Sequence, residues 1–260
     1  PVAGNFLQQE LAIITGAVEM LITDVQCCMP SLSQVAKAYH TEVVSTSDMA
    51  KTIGATHVAF DEEHALDSAK AIIRRAIANY QNRAAGKVAI PKVSSPLVAG
   101  FSVPAIKYML GGTYRASFRP LNDAIIQGRI KGIVGIVGCN NPKTMMDSYT
   151  NTLTRELIKR EVIVLKTGCA AIASAKAGIL TPEAALDLAG PGFREVCEAV
   201  GIPPVLHMGS CVDNSRLLEA GTEVVLEGGL GDDLSEVPVV GVAPERSEER
   251  RVGKECRSRW

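Results

Sequence analysis

Four cysteines each follow an apolar run. Cys27 follows MLITDVQ, Cys139 follows GIVGIVG, Cys169 follows EVIVLKTG and Cys211 follows PPVLHMGS. Soft thiolates select iron–sulfur clusters, zinc, copper(I) or nickel over hard cations. The intervals between the four are 112, 30 and 42 residues, unlike the short paired spacings of a zinc finger or ribbon and unlike the tight runs of a ferredoxin. Thiolates so dispersed must be gathered by separate elements, and they fit a large cluster held between two α/β units. The spacing points to a metal–sulfur site.

The elements that would position these thiols follow from the runs themselves. A β-branched or apolar run of this length, bounded by turn signals, reads as a buried parallel strand. Sequence after at least two of the cysteines reads as helix, so the thiols are expected where strand hands over to helix. In open α/β sheets that carboxyl edge is where ligands bind. Upstream, apolar residues at Leu7, Leu11, Ile14 and Val18 predict a helix over 5–19, followed by a strand over 20–26 and a turn at Cys28–Pro30. Ser31 is suited to cap a helix over 31–39, before a short strand over 42–47 and a helical segment opened by Ser47 and Asp48. Residues 61–85 read as a long amphipathic helix, acidic first and basic later, in the order the helix dipole favours. GKVAIPKVSSP, residues 86–96, has the composition of a linker. Beyond it, helices are expected over 103–110 and 121–130, then the strand GIVGIVG.

Composition narrows the function classes. The 260 residues suit one large or two modest α/β domains, and the formal charge of −1 gives no case for nucleic acid. No apolar run is long enough for a transmembrane segment, and no signal-peptide pattern opens the chain. The seven cysteines are therefore expected in a reducing, cytoplasmic compartment, with metal or redox roles ahead of disulfides. The chain opens at Pro1 in what reads as mid-domain sequence, so a fragment is expected. Its last residues, RSEERRVGKECRSRW, carry the only Trp and a basic excess foreign to the rest. That string resembles the translation of a sequencing adapter; native sequence is expected to stop near Glu245, and Cys256 to carry no chemistry.

Other candidates take structural roles. Cys28 adjoins Cys27, so the two cannot easily aim at one metal. Cys197 lies at helical spacing with Phe193, Val196 and Val200 and reads as core. His207 reads as a packed strand histidine, with orientation of the Cys211 site as the alternative. His40, His57 and His64 read as loop or helix-surface residues. The glycines of GIVGIVG fall inside the strand rather than in the following turn, so they make no dinucleotide fingerprint. Asp213, Asn214 and Ser215 suit capping of the helix after Cys211.

VQCCMPSL, GIVGCNNPK, TGCAAIASAKAG and HMGSCVDNSR together resemble the catalytic subunit of the anaerobic nickel-containing carbon monoxide dehydrogenases, and QQELAIITGAVEML and VAPE agree. The resemblance covers nearly all of residues 1–245. It implies an α/β fold of two Rossmann-like parallel-sheet domains of the hybrid-cluster-protein and CO-dehydrogenase kind, the first incomplete. Residues 1–91 would be the C-terminal part of the middle domain, 92–245 a truncated second domain, and 246–260 a non-native tail. It implies a Ni–Fe–S cluster with Cys27, Cys139 and Cys169 on iron and Cys211 on nickel, where Cys211 is the catalytic ligand.

The implied chemistry is reversible oxidation of CO with water to CO2, with electrons passed to an iron–sulfur acceptor of ferredoxin type. Further [4Fe–4S] clusters, and a His and a Cys that ligate an outer iron, would lie upstream of this sequence. A lysine that handles protons and CO2 would fall where the odd tail begins, so this chain alone is expected to be inactive. A homodimer and an acetyl-CoA synthase complex are the implied assemblies. Cys28 doubles the thiol of the VQC motif, and the loop GIPPVLH is shorter than in some relatives. A hybrid-cluster protein that reduces hydroxylamine, or a cluster-free α/β fragment, are the alternatives; GSCVDNSR and GCNNPK argue against the former.

Overall fold

A computed structural model describes residues 4–141 and 143–245. The expected non-native tail, 246–260 with Cys256, lies outside the described residues. The chain divides into two compact units, Phe6–Ser94 and a second that begins at Ser95.

The first unit contains α1 (Gln9–Ile14), β1 (Met20–Thr23), α2 (Leu32–Ala36), β2 (Glu42–Ser45), β3 (Thr56–His57) and α3 (Ala65–Asn79). Its sheet is parallel, in the order β1-β2-β3. Ile13, Leu32, Ala36 and Val43 form the core between helices and sheet; each large aliphatic side chain buried here contributes about 1.5–3 kcal/mol. The helix expected over 5–19 stops at Ile14, and Gly16 turns the chain at φ 64°. The strand expected to run to residue 26 ends at Thr23, because Gln26 and Cys27 both take left-handed backbone, at φ 60° and 51°.

Two local expectations are corrected. The Ser31 hydroxyl does not cap α2; it donates to Glu10 on α1 instead. His57 lies in β3 rather than in a loop or on a helix, whereas His40 is in a loop as expected, with its side chain only 5% exposed beside Glu19. The helix expected over 61–85 is shorter, and its later arginines anchor the sheet. Arg75 pairs with Glu42 at the start of β2, and Arg83 reaches Glu19 and the Ala17 carbonyl ahead of β1.

The second unit contains α4 (Val103–Gly111), α5 (Arg119–Ile126), β4 (Gly132–Ile136), α6 (Ser148–Lys159), β5 (Val162–Thr167), α7 (Gly168–Lys176), α8 (Ala184–Leu188), α9 (Pro191–Val200), β6 (Val205–Gly209), α10 (Ser215–Glu227) and β7 (Val239–Val242). Ser102 caps α4 by accepting the Ala105 N–H at 3.2 Å. The sheet is again parallel throughout, in the order β6-β5-β4-β7. β4, β5 and β6 are largely apolar because both faces of the sheet are covered there: Ile133, Ile136, Ile163, Val164, Leu165, Val205, Leu206 and Met208 are all buried, whereas the edge strand β7 is partly exposed. Both units thus have the expected parallel α/β form. Among the described residues, no helix is long and apolar enough to cross a membrane.

Candidate metal centre

β4, β5 and β6 are neighbours and parallel, so their carboxyl ends share one edge of the second sheet. Cys139 lies three residues past β4, Cys169 two past β5 and Cys211 two past β6. The expected handover from strand to helix holds for Cys169, which sits in the first turn of α7, and for Cys211, which opens a short 3-10 turn, Cys211–Asp213. Cys139 instead enters the longer connection to α6.

Local geometry ties the three thiol-bearing turns together. Gly168 has left-handed backbone, φ 57°, and a Cβ built on it would fall on the Cys211 sulfur and come within 3.5 Å of the Cys211 nitrogen. The bare α-carbon therefore leaves the space that the Cys211 thiol fills. The Thr167 hydroxyl donates to Asn214 Oδ1 at 2.5 Å, joining the end of β5 to the turn after Cys211. On the other side, the Ala170 N–H donates to the Gly138 carbonyl at 3.2 Å, joining the residue after Cys169 to the residue before Cys139. Cys139 and Cys169 are both buried, and Cys211 is partly exposed.

The turn at Cys211 is held from within. Asp213 Oδ2 accepts the Ser210 N–H at 2.8 Å and the Ser210 hydroxyl at 3.2 Å. Arg216 pairs with Asp213 Oδ1 at 3.0 Å and donates to the Met208 carbonyl at 2.8 Å. Gly209, at φ 142°, lets Asp213 approach so closely; a Cβ there would overlap its carboxylate. The expected side-chain capping of the helix after Cys211 is not what forms: Asp213 closes a capping box with Ser210 on the 3-10 turn, and Asn214 makes no side-chain cap to α10 and bonds Thr167 instead. His207 is a buried strand residue whose Nδ1 accepts the Gly209 N–H at 3.2 Å, so a neutral ring carries its proton on Nε2.

Behind the edge lies a buried polar cluster. Asn140, next to Cys139, donates to Asp147 Oδ1 at 2.5 Å, and Asp147 pairs with Lys176 on α7. Lys166, inside β5, is 0% exposed. Glu245 is 3% exposed and accepts the Thr150 N–H at 3.1 Å. Cys197 packs in the core as expected, and burial pushes its thiol up to about 12.

Cys27 belongs to the first unit. Its carbonyl accepts the Gln9 side-chain amide at 2.6 Å, which fixes the left-handed turn at Gln26 and Cys27. Non-glycine residues in this conformation cost of order 1–3 kcal/mol and cluster at functional sites. Beside it, burial raises the Cys28 thiol above its ordinary value.

Among the described residues, no group of three His, Cys, Asp or Glu side chains is gathered to metal-holding distance. The donor set nevertheless fits a thiophilic metal group: three cysteines on one sheet edge, with a glycine cradle under one of the sulfurs. Sequence reasoning missed Gly168, the Asp213–Arg216 clamp and Lys166. Only Lys166 left a sequence signal, as a lone charge inside the buried run VIVLKT.

The comparisons agree with this geometry. The family model for the Prismane/CO dehydrogenase family matches residues 1–253. Carbon monoxide dehydrogenase 1 of Methanosarcina mazei is 50% identical over 252 residues, which are 97% of this chain and 39% of that protein. The nickel-free carbon monoxide dehydrogenase structure from Thermococcus sp. AM4, produced without its CooC maturase, is 53% identical with a TM-score of 0.81, covering 95% of this chain and 38% of that one. A chain from a structure of acetyl-CoA synthase/carbon monoxide dehydrogenase, a complex described with NiZn[Fe4S4] and NiNi[Fe4S4] clusters in its closed and open α subunits, is 39% identical with a TM-score of 0.82, covering 95% of this chain and 38% of that one. The chain thus spans about two fifths of the length of these relatives.

Proposed function

We propose, since the chain belongs to the Prismane/CO dehydrogenase family, that its thiols hold a nickel–iron–sulfur cluster in a protein that oxidises CO reversibly with water to CO2, two protons and two electrons. The observation that carries this reading is the delivery of Cys139, Cys169 and Cys211 to one sheet edge by three neighbouring parallel strands. Cys139 and Cys169 are assigned as thiolate ligands to iron, and Cys211 as the thiolate ligand to nickel. Cys27, in the first unit, is assigned to iron as well. When bound, the group supplies Lewis acidity and a store for the two electrons.

The chain's own residues do the rest by orientation and exclusion. Asp213, Arg216 and Asn214 fix the turn from which Cys211 projects, as outer partners fix metal ligands generally. Buried Ile136, Leu165 and Met208 keep water from the inner side of the edge. Electron transfer to a ferredoxin-like acceptor, homodimerisation and association with an acetyl-CoA synthase belong to the same reading, supported by what the relatives are.

The test is metal analysis of anaerobically prepared full-length protein beside CO-dependent reduction of a viologen dye. Cys211→Ser is expected to lose nickel while iron remains, and to lose activity. Cys139→Ser and Cys169→Ser are expected to lose both metals. Wild-type protein without iron and nickel, or a Cys211→Ser variant with undiminished nickel, would remove the reading.

A further inference from the structure

Lys166 lies on β5, three residues before Cys169 at the start of α7, and is 0% exposed. Its Nζ donates to Ser174 Oγ at 2.8 Å and to Thr150 Oγ1 at 3.2 Å. Ser174 belongs to α7, the helix that carries Cys169, and Thr150 belongs to α6. Both acceptors are neutral hydroxyls. Among the described residues, Lys166 makes no ion pair: Asp147 is engaged by Lys176 and Asn140, and Glu245 accepts from the Thr150 backbone. The two carboxylates act on Lys166 through their field alone. His207, its register partner on β6, uses Nδ1 to accept from Gly209.

A buried ammonium without a contacting carboxylate is costly, and a leucine or methionine at this position would continue the apolar run of β5 without that cost. The fields of Asp147 and Glu245 offset part of that cost, and an anionic group at the thiol edge would offset more. Ser174 is five residues beyond Cys169 along α7, or about 7.5 Å of helix rise, so the ammonium sits well within electrostatic reach of the thiol edge. The potentials of thiolate-bound clusters are set by net charge, hydrogen bonds and solvent exposure.

We propose that Lys166 is the buried positive charge that offsets the anionic thiolate cluster and raises its reduction potential. It is a positioning residue that acts through β5 and α7 and does not touch the reacting atoms. This inference rests on the assignment of Cys139 and Cys169 as cluster ligands given above.

The experiment compares full-length holoprotein carrying Lys166→Gln, Lys166→Met or Lys166→Arg with wild type. Metal analysis and thermal melting run alongside an electron-paramagnetic-resonance redox titration of the cluster. Lys166→Gln keeps groups that can bond the two hydroxyls, yet is neutral. Both neutral variants are expected to shift the reduction equilibrium about tenfold toward the oxidised form, which is about 59 mV for a one-electron couple. Lys166→Arg is expected to stay within about threefold of wild type. Loss of the cluster from both neutral variants with retention in Lys166→Arg would equally support a charge role. A loaded but unshifted Lys166→Gln, equal shifts in the glutamine and arginine variants, or loss of the cluster from all three would overturn the inference alone. Wild-type protein without a cluster signal would overturn the ligand assignment and this inference with it.

Discussion

Gly168 gives up its side-chain space to the sulfur of Cys211: the two residues follow neighbouring strands, and a Cβ on the first would clash with the thiol of the second. Gly168→Ala is expected to destabilise the second unit by about 1–3 kcal/mol through overpacking, with about 1–2 kcal/mol more from the left-handed backbone. Nickel content should fall more than iron content. Gly178→Ala is the control, because Gly178 is also left-handed, at φ 70°, with open space around its Cβ position. It should lose only the backbone component in thermal melting and keep its metals.

The clamp around Cys211 predicts a separable effect. Asp213→Ala removes the acceptor of both Ser210 donors and the carboxylate partner of Arg216. Loss of such a cap costs about 0.5–2 kcal/mol, and loss of an outer-shell partner typically lowers metal affinity about 10–100-fold. Nickel retention during dialysis against a chelator should therefore drop at least about tenfold, while iron is held. Equal loss of both metals would place the damage in the fold instead.

The first unit should weaken in acid. The Arg75 hydrogen bonds hold the Glu42 carboxyl below its ordinary value. Burial pushes Glu19 up, but hydrogen bonds from Arg83 and His40 together outweigh it and leave that carboxyl lowered too. Both folded values lie below 4.5, the ordinary value of each carboxyl. Their stabilisation is therefore fully present above about pH 4.5 and is lost as pH falls through the lowered folded values. Hydrogen–deuterium exchange of peptides covering α3 should accelerate in that window. Arg75→Leu and Arg83→Leu should exchange faster at neutral pH and show a flatter acid dependence.

Lys166 predicts the opposite slope in metal-free protein. Burial lowers its ammonium from 10.5 to about 7, against the opposing fields of Asp147 and Glu245. Between these values the unfolded chain binds more protons than the folded one, so stability from this group rises as pH increases from about 7 to 10.5. The melting temperature of Lys166→Met relative to wild type should be highest below pH 7. The advantage should shrink as pH rises toward and past 10.5, above which Lys166 is neutral in both the folded and the unfolded chain. A difference that does not vary with pH would show that Lys166 stays charged across the range.

The parallel α/β class was legible in the chain alone, because it depends on local patterns. Apolar runs of strand length, each ended by glycine or serine before cysteine, specify buried strands whose carboxyl ends carry a soft ligand. Element ends were less legible. β1 stops early because Gln26 and Cys27 turn left-handed, and Ser31 turns from its cap to Glu10; both depend on contacts with α1. Tertiary structure alone decided that β4, β5 and β6 lie side by side, that Gly168 underlies Cys211, and that Asn214 bonds Thr167 rather than capping its own helix. It also decided the surroundings of Lys166, whose hydroxyl partners come from two helices on either side of it in the chain. Periodicity reports which face of an element is buried, but the neighbour that covers it is set by strand order and packing, which no local run encodes.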